Sequence, residues 1–220
     1  LTISMGITVG SIGVIYSVLL KQHLDDYLPY VALGFIQWGF IAGVMNDGCQ
    51  SFVTAEAIIK QTRLPLTIHV FRVFYRQVII SAHNFAIYVL VLAVFQIWPS
   101  WMLLWAIPAL VIWAVNALWM ILLLGILCAR FRDIPPIVTS IVQLMFLCTP
   151  VIWKAESMGK RALLAHGNPA FHFMEILRAP LLGQAPPEVS WYVVLAITVL
   201  GWAVAFELFR RYRWRIAYWV

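Results

Sequence analysis

From Met102 to Leu127 the chain runs for 26 residues without one charged side chain. Wound as an α-helix, such a run is about 39 Å long at roughly 1.5 Å per residue. That is enough to cross the roughly 30 Å of hydrocarbon in a bilayer. Comparable runs recur along the sequence, and the core of one small aqueous domain cannot hide them all. Of the 220 residues 63% are hydrophobic and 11% charged, against roughly 45–50% and about 25% in soluble domains. The chain is therefore expected to be an integral membrane protein. Runs of this length also exclude a β-barrel, whose strands are about 10 residues long and alternate in polarity.

An all-α membrane fold with six spans is predicted, at about 1–20, 30–53, 78–97, 102–127, 134–153 and 191–209. The stretch "KQHLDDYLP" reads as a polar loop, "HVFRVFYRQ" as a basic approach to the third span, and "WPSW" as a corner. The chain opens on "LTISMGITVGSIGVIYSVLL", which lacks the charged start and small-residue cleavage site of a signal peptide. It reads as a membrane helix, with a preceding cytoplasmic segment expected before it.

Charge fixes the orientation. Lys60, Arg63, Arg72, Arg76, Arg130, Arg132, Arg210, Arg211, Arg213 and Arg215 fall on one side, whereas Lys21, Lys154, Lys160, Arg161 and Arg178 fall on the other. Ten against five puts the first group in the cytoplasm. Trp98, Trp101, Trp153, Trp191 and Trp214 fall near span ends, where indole favours the interface. The net charge of +6 is thus a topology signal, and no nucleic-acid partner is expected. Cys49, Cys128 and Cys148 stand in or beside apolar runs at no metal-ligand spacing and read as inert thiols.

Two polar stretches interrupt the hydrocarbon pattern. In "TAEAIIKQTRLP", Thr54 can cap a short helix, Glu56 and Lys60 stand at i, i+4 in the favourable order, and Pro65 can end it. This gives a cytoplasmic helix over about 54–65, either a plain topological connection or a surface offered to a partner. Residues 154–190 are too long for an ordinary connection and too interrupted to cross the membrane twice. Asn168 as cap and Pro169 at the first helical position start an amphipathic run that Pro180 should stop. Short re-entrant or interfacial helices are expected there. In "RDIPPI", Asp133 and the two prolines mark the start of the fifth span.

No cluster of acids, bases or nucleophiles suggests an enzyme. Asp47, His83 with Asn84, and Asn116 are spread over three helices at no triad or metal spacing, and His83 reads as a hydrogen-bonding group between helices. There is no phosphate-binding glycine loop, so any ATP and Mg must be handled by another chain. The span aromatics Tyr30, Phe35, Trp38, Phe40, Tyr88, Phe95, Trp105, Trp113, Trp119 and Phe146 read mainly as packing residues, although flat rings also suit a sugar polymer.

Taken in order, "DYLPYVALGFIQW", "NDGCQSFVTAEAIIKQTRLPLTIHVFR", "IISAHNFAIY", "LLGILCARFRDIPPIVTSIVQLMFLCTPVIW" and "NPAFHFMEILRAPLLG" resemble the membrane subunits of ABC-2 type polysaccharide exporters, as in O-antigen and teichoic-acid export. The resemblance covers nearly the whole chain as one transmembrane domain. It implies six helices per subunit, a homodimer with a channel between the subunits, and two copies of an ABC ATPase at the cytoplasmic face of the inner membrane.

On that resemblance the connection after the second span is the coupling helix, with Glu56, Ile59, Lys60, Gln61, Arg63 and Pro65 as ATPase contacts. Tyr30, Trp38, Phe40, Tyr88, Trp113, Trp119 and Phe146 become candidates for the substrate path, and Asn168, Pro169, Glu175 and Arg178 for an external gate. Arg72, Arg76, Arg130 and Arg132 are placed to attract the pyrophosphate of a lipid-linked polysaccharide. The family's cytoplasmic amphipathic N-terminal helix is not among these 220 residues. Rival expectations are an ABC-2 permease for a small hydrophobic compound and a membrane-embedded transferase acting on lipid-linked sugars through His83 or Asp47.

Overall fold

The computed structural model describes residues 2–19, 22–62, 64–98, 100–154 and 166–220, and among them all regular structure is helical. The chain forms α1 (Thr2–Leu19), α2 (Leu24–Cys49), a 3₁₀ turn (Val53–Ala55), α3 (Glu56–Gln61) and α4 (Thr67–Val94). A second 3₁₀ turn (Trp101–Trp105) leads into α5 (Ala106–Arg130), followed by α6 (Ile134–Cys148), α7 (Pro169–Leu181), α8 (Glu188–Tyr212) and α9 (Ile216–Trp219). Among the described residues, five segments are long and apolar enough to cross a membrane: α1, α2, α4, α8 and the stretch Trp101–Arg130. The protein is a multi-pass, all-α membrane protein.

Several boundaries differ from the sequence reading. The second helix starts at Leu24 rather than near residue 30, so "LDDYLP" is helical. Asp25 and Asp26 in its first turn offset the positive end of the helix dipole. The basic stretch before the expected third span is also helical, because no Gly or Pro interrupts α4 from Thr67 onward. That helix ends at Val94 in a Schellman turn: Gln96 adopts φ 53°, Ile97 N–H bonds the Leu92 carbonyl at 3.0 Å, and Gln96 N–H bonds that of Ala93.

The largest correction concerns the fifth expected span. α6 has 15 residues and stops at Cys148, about 22 Å of helix at roughly 1.5 Å per residue. Pro150 explains the stop, since a proline disfavours helical backbone at the residue before it and brings no N–H.

The chain divides into two compact units. The first comprises Leu1–Phe40, Ile79–Leu110 and Phe146–Val194, the second Ile41–Val78, Val111–Met145 and Leu195–Val220. Of the described basic residues, the nine assigned to the cytoplasm all belong to the second unit, and Lys154 and Arg178 to the first. In the first unit Val9, Ala32, Leu33, Ile36, Tyr88 and Val91 form a core cluster.

In the second unit, small residues let helices approach closely, as packing within lipid requires. A side chain at Gly125 would collide with Ser51 and Phe52, and one at Gly201 with the Trp119 indole. Asn116 donates to Thr198 Oγ1 at 2.8 Å, and Trp202 Nε1 donates to the Val115 carbonyl at 3.2 Å.

Candidate functional site

Two polar regions emerge, one in each unit. In the second unit, buried Phe52 and Ala55 anchor the turn that leads into α3, and none of the residues of α3 is buried. Lys60 Nζ lies 2.6 Å from Glu56 Oε1. Hydrogen bonding to that ammonium holds the Glu56 carboxyl below its ordinary range. Glu56, Lys60, Gln61 and Pro65 are exposed and Ile59 is half-buried. Arg63 lies outside the described residues.

Two local expectations fail here. The helix ends at Gln61, four residues before Pro65, because Thr62 is extended (φ −127°, ψ 142°). Thr54 does not cap it: the Thr54 hydroxyl donates to the Gln50 carbonyl at 2.9 Å and accepts from Arg72 Nη2 at 3.0 Å.

Of the four arginines expected near pyrophosphate, Arg72 and Arg76 come together. With Asp47, Gln50, Thr54 and Val73 they line a cleft of about 340 Å³. Asp47 is held by Arg76 at 3.4 Å and by a short hydrogen bond from Gln77. This Asp47–Gln77 tie carried no sequence signal beyond an acid inside an apolar run. Arg130 and Arg132 instead flank Trp219: the Arg130 guanidinium lies 5.0 Å from the ring centroid, and Arg132 Nη2 donates to the Trp219 carbonyl at 3.4 Å.

In the first unit, Asn168 caps α7 by accepting from Ala170 N–H at 3.0 Å and donates to Thr149 Oγ1 at 2.8 Å, with Pro169 at the first helical position. Pro180 lies inside α7, which runs on to Leu181. The stop comes from a Schellman turn, with Gly183 at φ 77° and Gln184 N–H on the Ala179 carbonyl at 2.8 Å.

Sequence reading marked Arg178 as a gate residue, and the structure gives it a definite task. Its side chain is 1% exposed, and Nη1 donates to the Pro150 carbonyl at 2.8 Å. The guanidinium lies 4.3 Å from the Tyr30 ring centroid, and no carboxylate among the described residues lies within 4 Å of it. Tyr30 donates to the Pro150 and Trp153 carbonyls at 3.0 Å, and Tyr27 to that of Ile152 at 2.6 Å.

These groups solve the problem that α6 creates. Beyond Cys148 the backbone is no longer helical, and unsatisfied carbonyls are tolerated at membrane depth only where protein buries and bonds them. Arg178, Tyr27 and Tyr30 supply those bonds. Asp25, Asp26, Tyr30, Lys154, Glu175 and Arg178 are among the lining of a cavity of about 530 Å³ in this unit.

The aromatic candidates separate by exposure. Tyr30, Trp38, Tyr88 and Trp113 are buried, whereas Phe40, Trp119 and Phe146 keep part of their surface open. Trp38 and Phe146 pack with ring centroids 5.7 Å apart, Tyr88 donates to the Leu181 carbonyl at 2.6 Å, and Trp119 Nε1 donates to Asn116 Oδ1 at 2.7 Å. His83 bonds the Ile79 carbonyl one turn back in its own helix, at 2.8 Å, rather than a neighbouring helix.

The described residues form a multi-pass, all-helical membrane protein with a short exposed helix after its second long helix. Residues 1–182 match the ABC-2 type transporter family, and the chain belongs to that family. Its curated relatives include two proteins named O-antigen export system permease protein RfbA from Klebsiella pneumoniae, 20% and 21% identical over 92% of this chain and 79% of theirs. A protein of the same name from Myxococcus xanthus is 20% identical over 87% of this chain and 75% of its own.

Proposed function

We propose that this chain is the permease half of an ATP-driven exporter that moves a lipid-linked, O-antigen-like polysaccharide across the cytoplasmic membrane. The observation that carries the reading is α3. In an ABC-2 chain, this polar helix leaves every residue accessible while the turn before it is rooted in the buried Phe52 and Ala55. That arrangement suits a lever driven by a separate ATPase, with Glu56, Ile59, Lys60, Gln61, Arg63 and Pro65 as its contacts. ATP and Mg belong to that partner.

The homodimer is supported by exposed polar side chains on otherwise apolar helices. α1 exposes Ser4, Thr8 and Ser11 along one face, and α6 exposes Thr139, Ser140 and Gln143. Polar groups on membrane helices turn toward protein or water rather than lipid, which fits a polymer path between two copies. The open surfaces of Phe40, Trp119 and Phe146 suit contact with sugar rings, and the buried Tyr30, Trp38, Tyr88 and Trp113 shape the wall behind them. Arg72 and Arg76 offer the pyrophosphate of the lipid carrier a basic cleft, with Arg130 and Arg132 adding positive charge on the same face. Asn168, Pro169, Glu175 and Arg178 shape the outer exit.

Co-purification and lipid extraction test this together. The full protein in mild detergent should carry an ABC ATPase in equal amount, captured by a crosslinker placed on Gln61→Cys. A strain without the permease should accumulate polyprenyl-linked glycan in its cytoplasmic membrane. An unchanged lipid-linked pool together with unchanged surface polymer would sink the polysaccharide assignment.

A further inference from the structure

α3 has a weakness as a mechanical part. It has six residues and buries none of them, whereas an isolated helix shorter than about 12–15 residues is marginal in water. Its single ion pair, between exposed groups, contributes little. A lever that transmits force must be held from outside itself, and the structure shows what holds it.

The short helix α9 packs against α3. Ile216 (0% exposed) and Val220 (5% exposed) point inward, whereas Tyr218 (88% exposed) points away. Trp219 is gripped from three directions. The Tyr212 ring lies 5.5 Å away by centroids, the Arg130 guanidinium lies over the indole, and Arg132 bonds the Trp219 carbonyl. A cation over an indole face is held by the ring quadrupole, so α9 is fastened to the C-terminal end of α5. Arg132 also stands close enough to Glu56 to add to the lowering of its carboxyl pKa.

We infer that α9, clamped through Trp219 by Arg130, Arg132 and Tyr212, is a brace that fixes α3 in position and so sets how efficiently the ATPase stroke reaches the membrane helices. Trp219, Arg130 and Arg132 are positioning residues on this view and need not touch the ATPase. The coupling half of this statement rests on the exporter reading. The bracing half does not.

The test uses the full chain in nanodiscs, with spin labels on Gln61→Cys and Tyr218→Cys in a Cys148→Ser background, diluted into unlabelled protein so that a dimer carries one labelled copy. The expected result is one narrow distance distribution, broadened by Trp219→Ala and restored by Trp219→Phe, with the melting temperature of the bundle unchanged. An unaltered distribution in Trp219→Ala overturns the brace. In the assembled exporter, polymer moved per ATP hydrolysed should fall about tenfold in Trp219→Ala, a change on the usual scale of site-to-site coupling, and recover in Trp219→Phe. A broadened distribution with export per ATP unchanged overturns the positioning role. If the wild-type protein recruits no ATPase, the exporter reading falls, and the distance measurement still decides the brace.

Discussion

At the scale of single residues, helix packing depends on a few positions where a methyl group does not fit. A Cβ at Gly201 would lie within the van der Waals envelope of the Trp119 indole, a rigid ring that is itself tied to Asn116. Gly201→Ala should therefore destabilise the protein by roughly 1–3 kcal/mol, the usual cost of overpacking. Gly10→Ala is the control, because nothing lies within 4 Å of a side chain there, and better helix propensity should make it neutral or stabilising by up to about 1 kcal/mol. Thermal unfolding of both variants in the same detergent checks the pair, and equal shifts would refute the packing argument. Arg178 follows a different rule. Arg178→Ala removes a charged donor from the Pro150 carbonyl and the cation from the Tyr30 face, leaving a void, and a loss of about 2 kcal/mol is expected. A variant that melts with the wild type would mean that the non-helical turn after α6 is held by other means.

At the scale of elements, α6 and α3 show why some boundaries were legible and others were not. Long apolar runs almost free of charge predict membrane helices with little ambiguity, and α5 and α8 fall within a few residues of theirs. The start of α4 is hidden because basic residues suggest a loop, yet a helix tolerates Arg72 and Arg76 where its end reaches the headgroups. The Schellman turn at Gln96 was invisible for another reason: its left-handed residue is not glycine. The roles of Tyr27 and Tyr30 could not be read at all, since their carbonyl partners lie more than 100 positions away. Tyr27→Phe and Tyr30→Phe should each cost about 1 kcal/mol, the usual worth of a buried hydrogen bond. Hydrogen exchange around residues 149–153 should quicken in both variants, and unchanged protection there would exclude these bonds as the support of that turn. Titration probes α3. With its pKa held down by Lys60, the Glu56 carboxylate stabilises the helix at neutral pH, and that contribution fades as the pH falls through the lowered value. Lys60→Gln should bring the Glu56 titration back up toward the ordinary carboxylate value, which carbon NMR of labelled glutamate can follow. An unmoved titration would show that the ion pair does not persist in solution.

At the scale of the whole molecule, the number of membrane crossings turns on α6. About 22 Å of helix falls short of roughly 30 Å of hydrocarbon, and the residues from Thr149 to Trp153 form bends rather than further helix. The Tyr30 hydroxyl meets the carbonyls of both Pro150 and Trp153 at 3.0 Å, so this stretch folds back on itself. Thr149, Pro150 and Val151 are buried, and the carbonyls of Pro150, Ile152 and Trp153 are bonded, so this stretch meets the condition for irregular backbone at membrane depth. Helix and turn together must cross if the ten-to-five charge asymmetry sets the topology. If they do, three crossings separate Gln61 from Gln184, and the two lie on opposite faces of the membrane. If they do not, the number is even and they share a face. Single cysteines at Gln61 and at Gln184 in a Cys148→Ser background decide this with a membrane-impermeant maleimide, because Cys49 and Cys128 are buried. In whole cells stripped of their outer layer, only the Gln184→Cys protein should label, and in inverted vesicles only the Gln61→Cys protein. Labelling of both from one side would mean that α6 turns back within the bilayer, and the ten-to-five charge asymmetry would then need another explanation.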